Sequence, residues 1–197
     1  MSSKPAQPPH RVEFLSDGVF AIALTLLTIE VVAATKITEP GQALVEHLWH
    51  EWPAIIAYPV GFITLMVIWV NHHRIFQFVE RVDTGLLWIN GAVLLLVAGT
   101  PIPTALLAAH VPGPEQALPV VLYLSTFVLL PALFWVMWRY AEWRGLLSPA
   151  HDEVGYPGMR WIYLWVSMLD VVALILGYFA TWVSLLLLFV SFAAIAF

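Results

Sequence analysis

Arg11-Val12-Glu13-Phe14-Leu15-Ser16-Asp17-Gly18-Val19-Phe20-Ala21-Ile22-Ala23-Leu24-Thr25-Leu26-Leu27-Thr28-Ile29-Glu30-Val31-Val32 is the stretch whose reading decides the fold. From Val19 it is apolar enough and long enough to cross a bilayer as a helix, since about 20 residues rising 1.5 Å each match a hydrocarbon core about 30 Å thick. Its polar residues are unusual for an anchor. Ser16-Asp17-Gly18 falls one to two turns inside the expected start, and Thr25 and Thr28 stand where a passive span would carry leucine. An ionised carboxylate within a span costs about 2.5–3.5 kcal/mol on insertion scales, so such groups face protein or water and point to function.

Composition agrees with a membrane reading. Of 197 residues, 61% are hydrophobic and 11% charged, and the mean hydropathy is +0.85. A soluble domain of this composition would expose large apolar patches, which excludes that class. The chain is expected to be all-α and polytopic. Cysteine is absent, which removes disulfides, thiolate catalysis and cysteine metal sites together. The formal charge of −5 says less than the placement of the basic residues.

Outward from the first span, Met1 to His10 is a short proline-containing polar tail expected to be disordered and cytoplasmic, with residues 11–197 forming one transmembrane domain. The first span is too long, and with Asp17 and Glu30 too polar, to be a cleaved secretory signal. A loop from Thr35 to Glu51 leads to a second span over about Trp52 to Val70, where Pro59 and Gly61 are expected to kink the helix. Asn71 to Asp83 reads as a polar connection. The third span covers about Thr84 to Leu107 and should bend at Pro101-Ile102-Pro103, because proline cannot donate to the helical ladder. After a turn at His110 to Glu115, spans four, five and six cover about Ala117 to Tyr140, Arg160 to Tyr178 and Thr181 to Phe197, with the longest loop from Ala141 to Met159. The sixth is only just long enough to cross.

Six spans place both termini on one side. Lys4, Arg11, Arg74, Arg81, Arg139, Arg144 and Arg160 fall on the N-terminal side and Lys36 alone on the other, so both termini are expected in the cytoplasm of a cell-membrane protein. Trp49, Trp52 and Trp182 at outer ends, and Trp138, Trp143 and Trp161 at inner ends, fit headgroup belts. No internal repeat is present, so symmetry around any pore must come from further copies of the chain.

Asp17 has two readings. It is a surface acid favoured by the helix dipole, or a buried anchor, since Glu13, Asp17, Phe20 and Leu24 share one face and Arg11, His72, His73 or Asn90 would serve as partners. Ile22, Leu26 and Ile29 lie roughly opposite, with Thr25 beside them, as core packing or as a lining. Adjacent His72 and His73 diverge by about 100° on a helix and lack supporting ligands, so no metal is expected there. His47 and His50 are better spaced but read as an interfacial cluster. Asp170, mid-span, is paired by this reading with Ser167 one turn earlier. There is no nucleophile elbow, phosphate loop or His-Glu-x-x-His pattern. Val154-Gly155-Tyr156 echoes a potassium-filter sequence, but its flanks and cytoplasmic position exclude that role.

The run Arg11 to Ile29 resembles the first-span signature of the transmembrane protein 175 family of potassium channels, Arg-x-x-x-Phe-Ser-Asp-Gly-Val-Phe-Ala-Ile-Ala-Ile-Thr-Leu-Leu. Leu15 replaces the usual Phe, and Leu24 stands where Ile is frequent. Trp69-x-x-His72-His73, the Asp83 to Asn90 stretch with Trp88, and Pro101-x-Pro103 are also similar, whereas spans four to six match only in length and hydrophobicity. The resemblance implies a homotetramer of six-span chains with the first span of each lining a central pore, and potassium as the permeant ion. Carried onto this sequence, the pathway residues are Ile22, Thr25, Leu26 and Ile29, and the supporting network is Arg11, Ser16, Asp17, His72, His73 and Asn90. A ring of apolar side chains blocks flow by dewetting, and a ring of threonine hydroxyls replaces part of an ion's hydration shell. No enzyme activity, cofactor, metal or nucleic-acid partner is expected. The alternatives are a proton-coupled transporter using Asp17, Glu30, Asp170 and the histidines as a relay, which would normally show repeated halves, and a membrane enzyme built on Ser16, Asp17 and His72.

Overall fold

A computed structural model describes residues 9–34, 36, 43–148, 158–177 and 179–196, apart from the side chains of residues 30, 34, 159, 160, 194 and 196. The expectations for the tail up to residue 8, for much of the loop after the first span, for the 154–156 segment and for the Glu30 side chain lie outside that set. The described residues form helices α1 (His10–Ala34), α2 (Leu44–His50), α3 (Trp52–Phe78), α4 (Thr84–Gly99), α5 (Pro101–His110), α6 (Ala117–Arg144), α7 (Met159–Gly177) and α8 (Thr181–Ala196). Among them there is no strand, and Val79 and Leu147 form an isolated antiparallel bridge.

Among the described residues, four stretches are long and apolar enough to cross a membrane: α1, α3, α4 together with α5, and α6. Helices α7 and α8 are apolar and shorter. Helix α1 packs against α3 and α4, α4 against α6, and α7 lies between α6 and α8. The core between them is filled by Phe20, Ala23 and Leu27 of α1, Leu65 and Ile68 of α3, Leu86 and Val93 of α4, and Phe127, Phe134 and Trp138 of α6.

Local chemistry explains most of the boundaries. Asp83 caps α4 by accepting from the Leu86 N–H at 2.9 Å. Pro101, with no N–H to give, ends the α4 ladder at Thr100 and opens α5 at its first position, as the sequence predicts. Gly145, at φ 63°, lets α6 end in a left-handed turn in which the Leu146 N–H donates to Ala141 O at 2.9 Å. Leu146 and Ser148 then pair with the end of α3 through Glu80 N–H to Leu146 O and Ser148 N–H to Phe78 O. Gly61 serves close approach: a Cβ there would lie 3.4 Å from the Leu27 side chain. Helix α3 runs unbroken through Pro59.

One expectation is corrected. Asn71 to Phe78 is not connection but the last two turns of α3, and the real connection begins at Val79. Asn71 and His72 are 2% exposed, and partners on other helices satisfy their polar groups, so the polarity of this segment does not end the helix. Helix α6 likewise continues past Tyr140 to Arg144.

Candidate functional site

Helix α1 has two unlike faces. Val12, Ser16, Phe20, Ala23 and Leu27, spaced three or four residues apart, are buried against the rest of the chain. Thr25 is exposed beside Leu26, and Ile22 and Ile29 remain 61% and 59% exposed. The Thr25 hydroxyl donates to Ile22 O at 2.8 Å. Its single hydrogen is thereby spent on the helix, and the oxygen presents lone pairs outward.

Behind this face, at the N-terminal half of α1, three helices meet through a buried polar triad. The Ser16 hydroxyl donates to Val12 O at 2.8 Å and accepts from Asn90 Nδ2 at 3.1 Å. Asn90 Oδ1 lies 2.8 Å from His72 Nε2. With its amide nitrogen committed to Ser16, Asn90 presents only an acceptor to the ring, which assigns the His72 hydrogen to Nε2. The imidazole is packed by Phe20, Phe76 and Phe134, with ring centroids 5.5, 4.7 and 6.4 Å away. Ser16, Asn90 and His72 thus tie α1, α4 and α3 together by direct side-chain contacts.

Asp17 lies outside the triad. It is exposed at the edge of the α1–α3 contact, and its Oδ1 accepts from the Trp69 indole N–H at 2.8 Å. The Trp69 ring stacks on His73 at 5.7 Å and 15°, and Gln77 Nε2 lies 3.0 Å from His73 Nε2. Arg11 is exposed and joins neither group. Of the six residues expected in one network, three meet directly, Asp17 and His73 meet through Trp69, and Arg11 stands apart. Trp69, one turn before His73, was the signal for this second contact.

A further buried cluster lay hidden in the segment read as connection. Asn71 Nδ2 donates to Ile195 O at 3.1 Å, Arg74 donates to the same carbonyl at 3.1 Å, and the Tyr163 hydroxyl donates to Asn71 Oδ1 at 3.2 Å. Helices α3, α7 and α8 are clamped there. The expected pairing of Asp170 with Ser167 is corrected: Ser167 donates to Tyr163 O at 2.8 Å, while Asp170 Oδ1 lies 2.6 Å from Ser191 Oγ on α8. Where α3 and α6 end, Asp83 is also contacted by the Tyr140 hydroxyl at 3.0 Å and Arg144 Nε at 3.1 Å. Partial desolvation alone would push the Asp83 carboxyl up, but the donors from Leu86, Tyr140 and Arg144 outweigh it and hold the group below its ordinary value. His47 is buried and His50 exposed, with His50 near Glu51 at 3.5 Å. Among the described residues no three His, Asp or Glu side chains converge as metal ligands.

The family profile described as "Endosomal/lysosomal potassium channel TMEM175" matches residues 11–101, which contain the whole triad. A potassium channel of Chamaesiphon minutus is 37% identical over 91% of this chain and 89% of its own length. A potassium channel of Streptomyces collinus is 39% identical over 72% of this chain and 69% of its own length. The human endosomal/lysosomal proton channel TMEM175 is 30% identical over 67% of this chain, which spans only 28% of that longer protein. In three dimensions the chain is similar to the crystal structure of a lysosomal potassium-selective channel TMEM175 homolog from Chamaesiphon minutus, with a TM-score of 0.82, 34% identity and 95% of each chain covered. This chain therefore belongs to the TMEM175 family, a family of ion channels and not of enzymes.

Proposed function

We propose that the chain is one subunit of a homotetrameric, potassium-selective leak channel of the cell membrane, with α1 lining the pathway. The observation that carries this reading is the division of α1. One face is consumed by packing within the subunit, and the other keeps Ile22, Thr25, Leu26 and Ile29 uncovered on the helix that bears the family signature. Fourfold assembly turns these positions into rings, with Ile22 and Ile29 as dewetting constrictions and Thr25 as a ring of oxygens. Because its hydrogen is held by Ile22 O, Thr25 offers an oxygen lone pair to a cation. The Ser16–Asn90–His72 triad fixes the inner half of α1 so that the rings keep their level and rotation.

Six spans complete the proposal, counting α4 and α5 as one and including α7 and α8. At 1.5 Å per residue, the 16 residues of α8 reach about 24 Å, a shortfall against a core of about 30 Å that local thinning absorbs. Both ends of the chain then lie in the cytoplasm with seven of the eight Lys and Arg residues. No span carries the arginine ladder of a voltage sensor, which is consistent with a leak. The test is passive ion flux from purified protein in liposomes under a potassium gradient. Potassium-selective current without a coupled ion supports the proposal, whereas uphill transport coupled to protons replaces it with a transporter.

A further inference from the structure

Asp170 and Ser191 make more hydrogen-bond contacts than their hydroxyl hydrogen can serve. Both residues are almost wholly buried, at 1% and 0% exposure, in the hairpin of α7 and α8. Ser191 Oγ lies 2.6 Å from Asp170 Oδ1 and 2.7 Å from Leu188 O. A serine hydroxyl has one hydrogen, which two acceptors this close can only share as a weakened three-centre bond. Leu188 O has none to give. A hydrogen on the Asp170 carboxyl gives each contact its own.

The other oxygen of the acid supports the same count. Asp170 Oδ2 is buried and has no hydrogen-bond partner among the described residues. An ionised carboxylate would leave half its charge there, unsolvated and without a donor, whereas a protonated acid leaves only a weak acceptor. Among the described residues no neighbouring charge compensates. Helix α8 carries no titratable side chain. Helix α6 carries Tyr123 at mid-length, with Arg139, Tyr140, Glu142 and Arg144 confined to its last two turns. On α7, Tyr163 is bonded to Asn71, and Arg160 stands about three turns earlier. On α3, which packs against α8, Tyr58 lies in the opposite half of the helix, His72 is bonded to Asn90, His73 is exposed, and Arg74 is engaged at Ile195 O.

We propose that Asp170 is a proton-binding site built into the hairpin: the protonated carboxyl donates to Ser191 Oγ, and the Ser191 hydroxyl donates onward to Leu188 O. Loss of the proton to solvent reverses the chain of donors. Ser191 must then turn its hydrogen to the carboxylate, Leu188 O loses that bond, and the charge on Oδ2 demands water. The latch lies one turn before Ile195, whose carbonyl Asn71 and Arg74 hold, so alkaline conditions loosen α7 and α8 first, while the α1–α3–α4 triad stays closed.

Infrared spectroscopy of the purified protein in lipid tests this directly and does not depend on current. At neutral pH the expected spectrum contains a protonated-carboxyl stretch above the amide I band that Asp170→Asn abolishes. Ser191→Ala should keep the band and move it to higher wavenumber, because the acid loses its acceptor; this variant decides if Asp170→Asn fails to assemble. Thermal stability of the parent should fall as pH rises from about 4, the ordinary carboxyl value, until the folded acid loses its proton, and Asp170→Asn should flatten that fall. A spectrum with no such band, a band that neither variant changes, or parent stability level up to pH 10 overturns the proposal.

Discussion

Asn90 should be the costliest member of the triad to remove, because it alone bonds to both of the others. Asn90→Ala deletes the bonds to Ser16 Oγ and His72 Nε2 at 3.1 and 2.8 Å. In water-soluble cores, an orphaned buried donor costs about 1–3 kcal/mol. Within a bilayer the unfolded reference also finds partners, and measured interhelical bonds average about 0.6 kcal/mol with a maximum near 1.7. Two bonds at those values give a loss of about 1–3 kcal/mol. Most of it falls on His72, which is left with a buried Nε2–H and no acceptor, whereas Ser16 still donates to Val12 O. Ser16→Ala should therefore cost only about 0.6 kcal/mol, since it breaks a single interhelical bond. The assay is reversible unfolding in mixed micelles, run on the parent, both single variants and the double variant. The double-mutant cycle should give a coupling between Ser16 and Asn90 of about 0.5–1.5 kcal/mol. Strict additivity, or a Ser16→Ala loss equal to that of Asn90→Ala, would refute the bridging role assigned to Asn90.

On the open face of α1, Thr25→Val keeps the volume and removes the oxygen, so the bi-ionic reversal potential should shift toward sodium with little change in assembly. Ile22→Asn and Ile29→Asn should raise total cation current by wetting the constrictions; if Leu24→Asn does the same, α1 does not line the path. Asp17→Ala should cost about 0.5–1.5 kcal/mol in thermal stability, the value of one hydrogen bond, and Asp17→Asn should recover most of it by keeping an acceptor for Trp69; a loss of several kcal/mol would show that Asp17 is a buried charge in the assembly. At Asp83 the depressed carboxyl contributes stability that is complete above its ordinary value of about 3.9 and disappears as pH falls through the lower folded value. The gap between parent and Asp83→Ala, about 0.5–2 kcal/mol for a helix cap, should hold constant from neutral pH down to about pH 5 and close below about pH 4. A gap that widens in acid would contradict the contacts assigned to Asp83.

Sequence alone determined the class and some of the helix ends. Apolar length and the scarcity of charge require a bilayer, and, although α6 ends at Arg144 rather than at Tyr140 as read, Asp83 and Pro101 act on backbone groups within a few positions of themselves. Such local effects are legible because their partners are adjacent in the chain. The pattern of α1 grouped Ile22, Thr25 and Ile29 but left open whether they pack or line, and the buried stripe is Val12, Ser16, Phe20, Ala23 and Leu27 rather than the face of Glu13, Asp17, Phe20 and Leu24. Tertiary structure decided which polar residue goes inside. Ser16 and Asp17 are about 100° apart on one helix, and only the approach of α3 and α4 makes Ser16 the buried one and leaves Asp17 at the edge with Trp69. The same holds for Asn71, whose partner Tyr163 is 92 residues away, and for Asp170, which meets Ser191 across a hairpin while nearby Ser167 spends its hydrogen on its own helix. Periodicity says which face of a helix is covered. Where no water can reach, the identity of the covering helix decides which polar groups are satisfied, and that information exists only once the helices have packed.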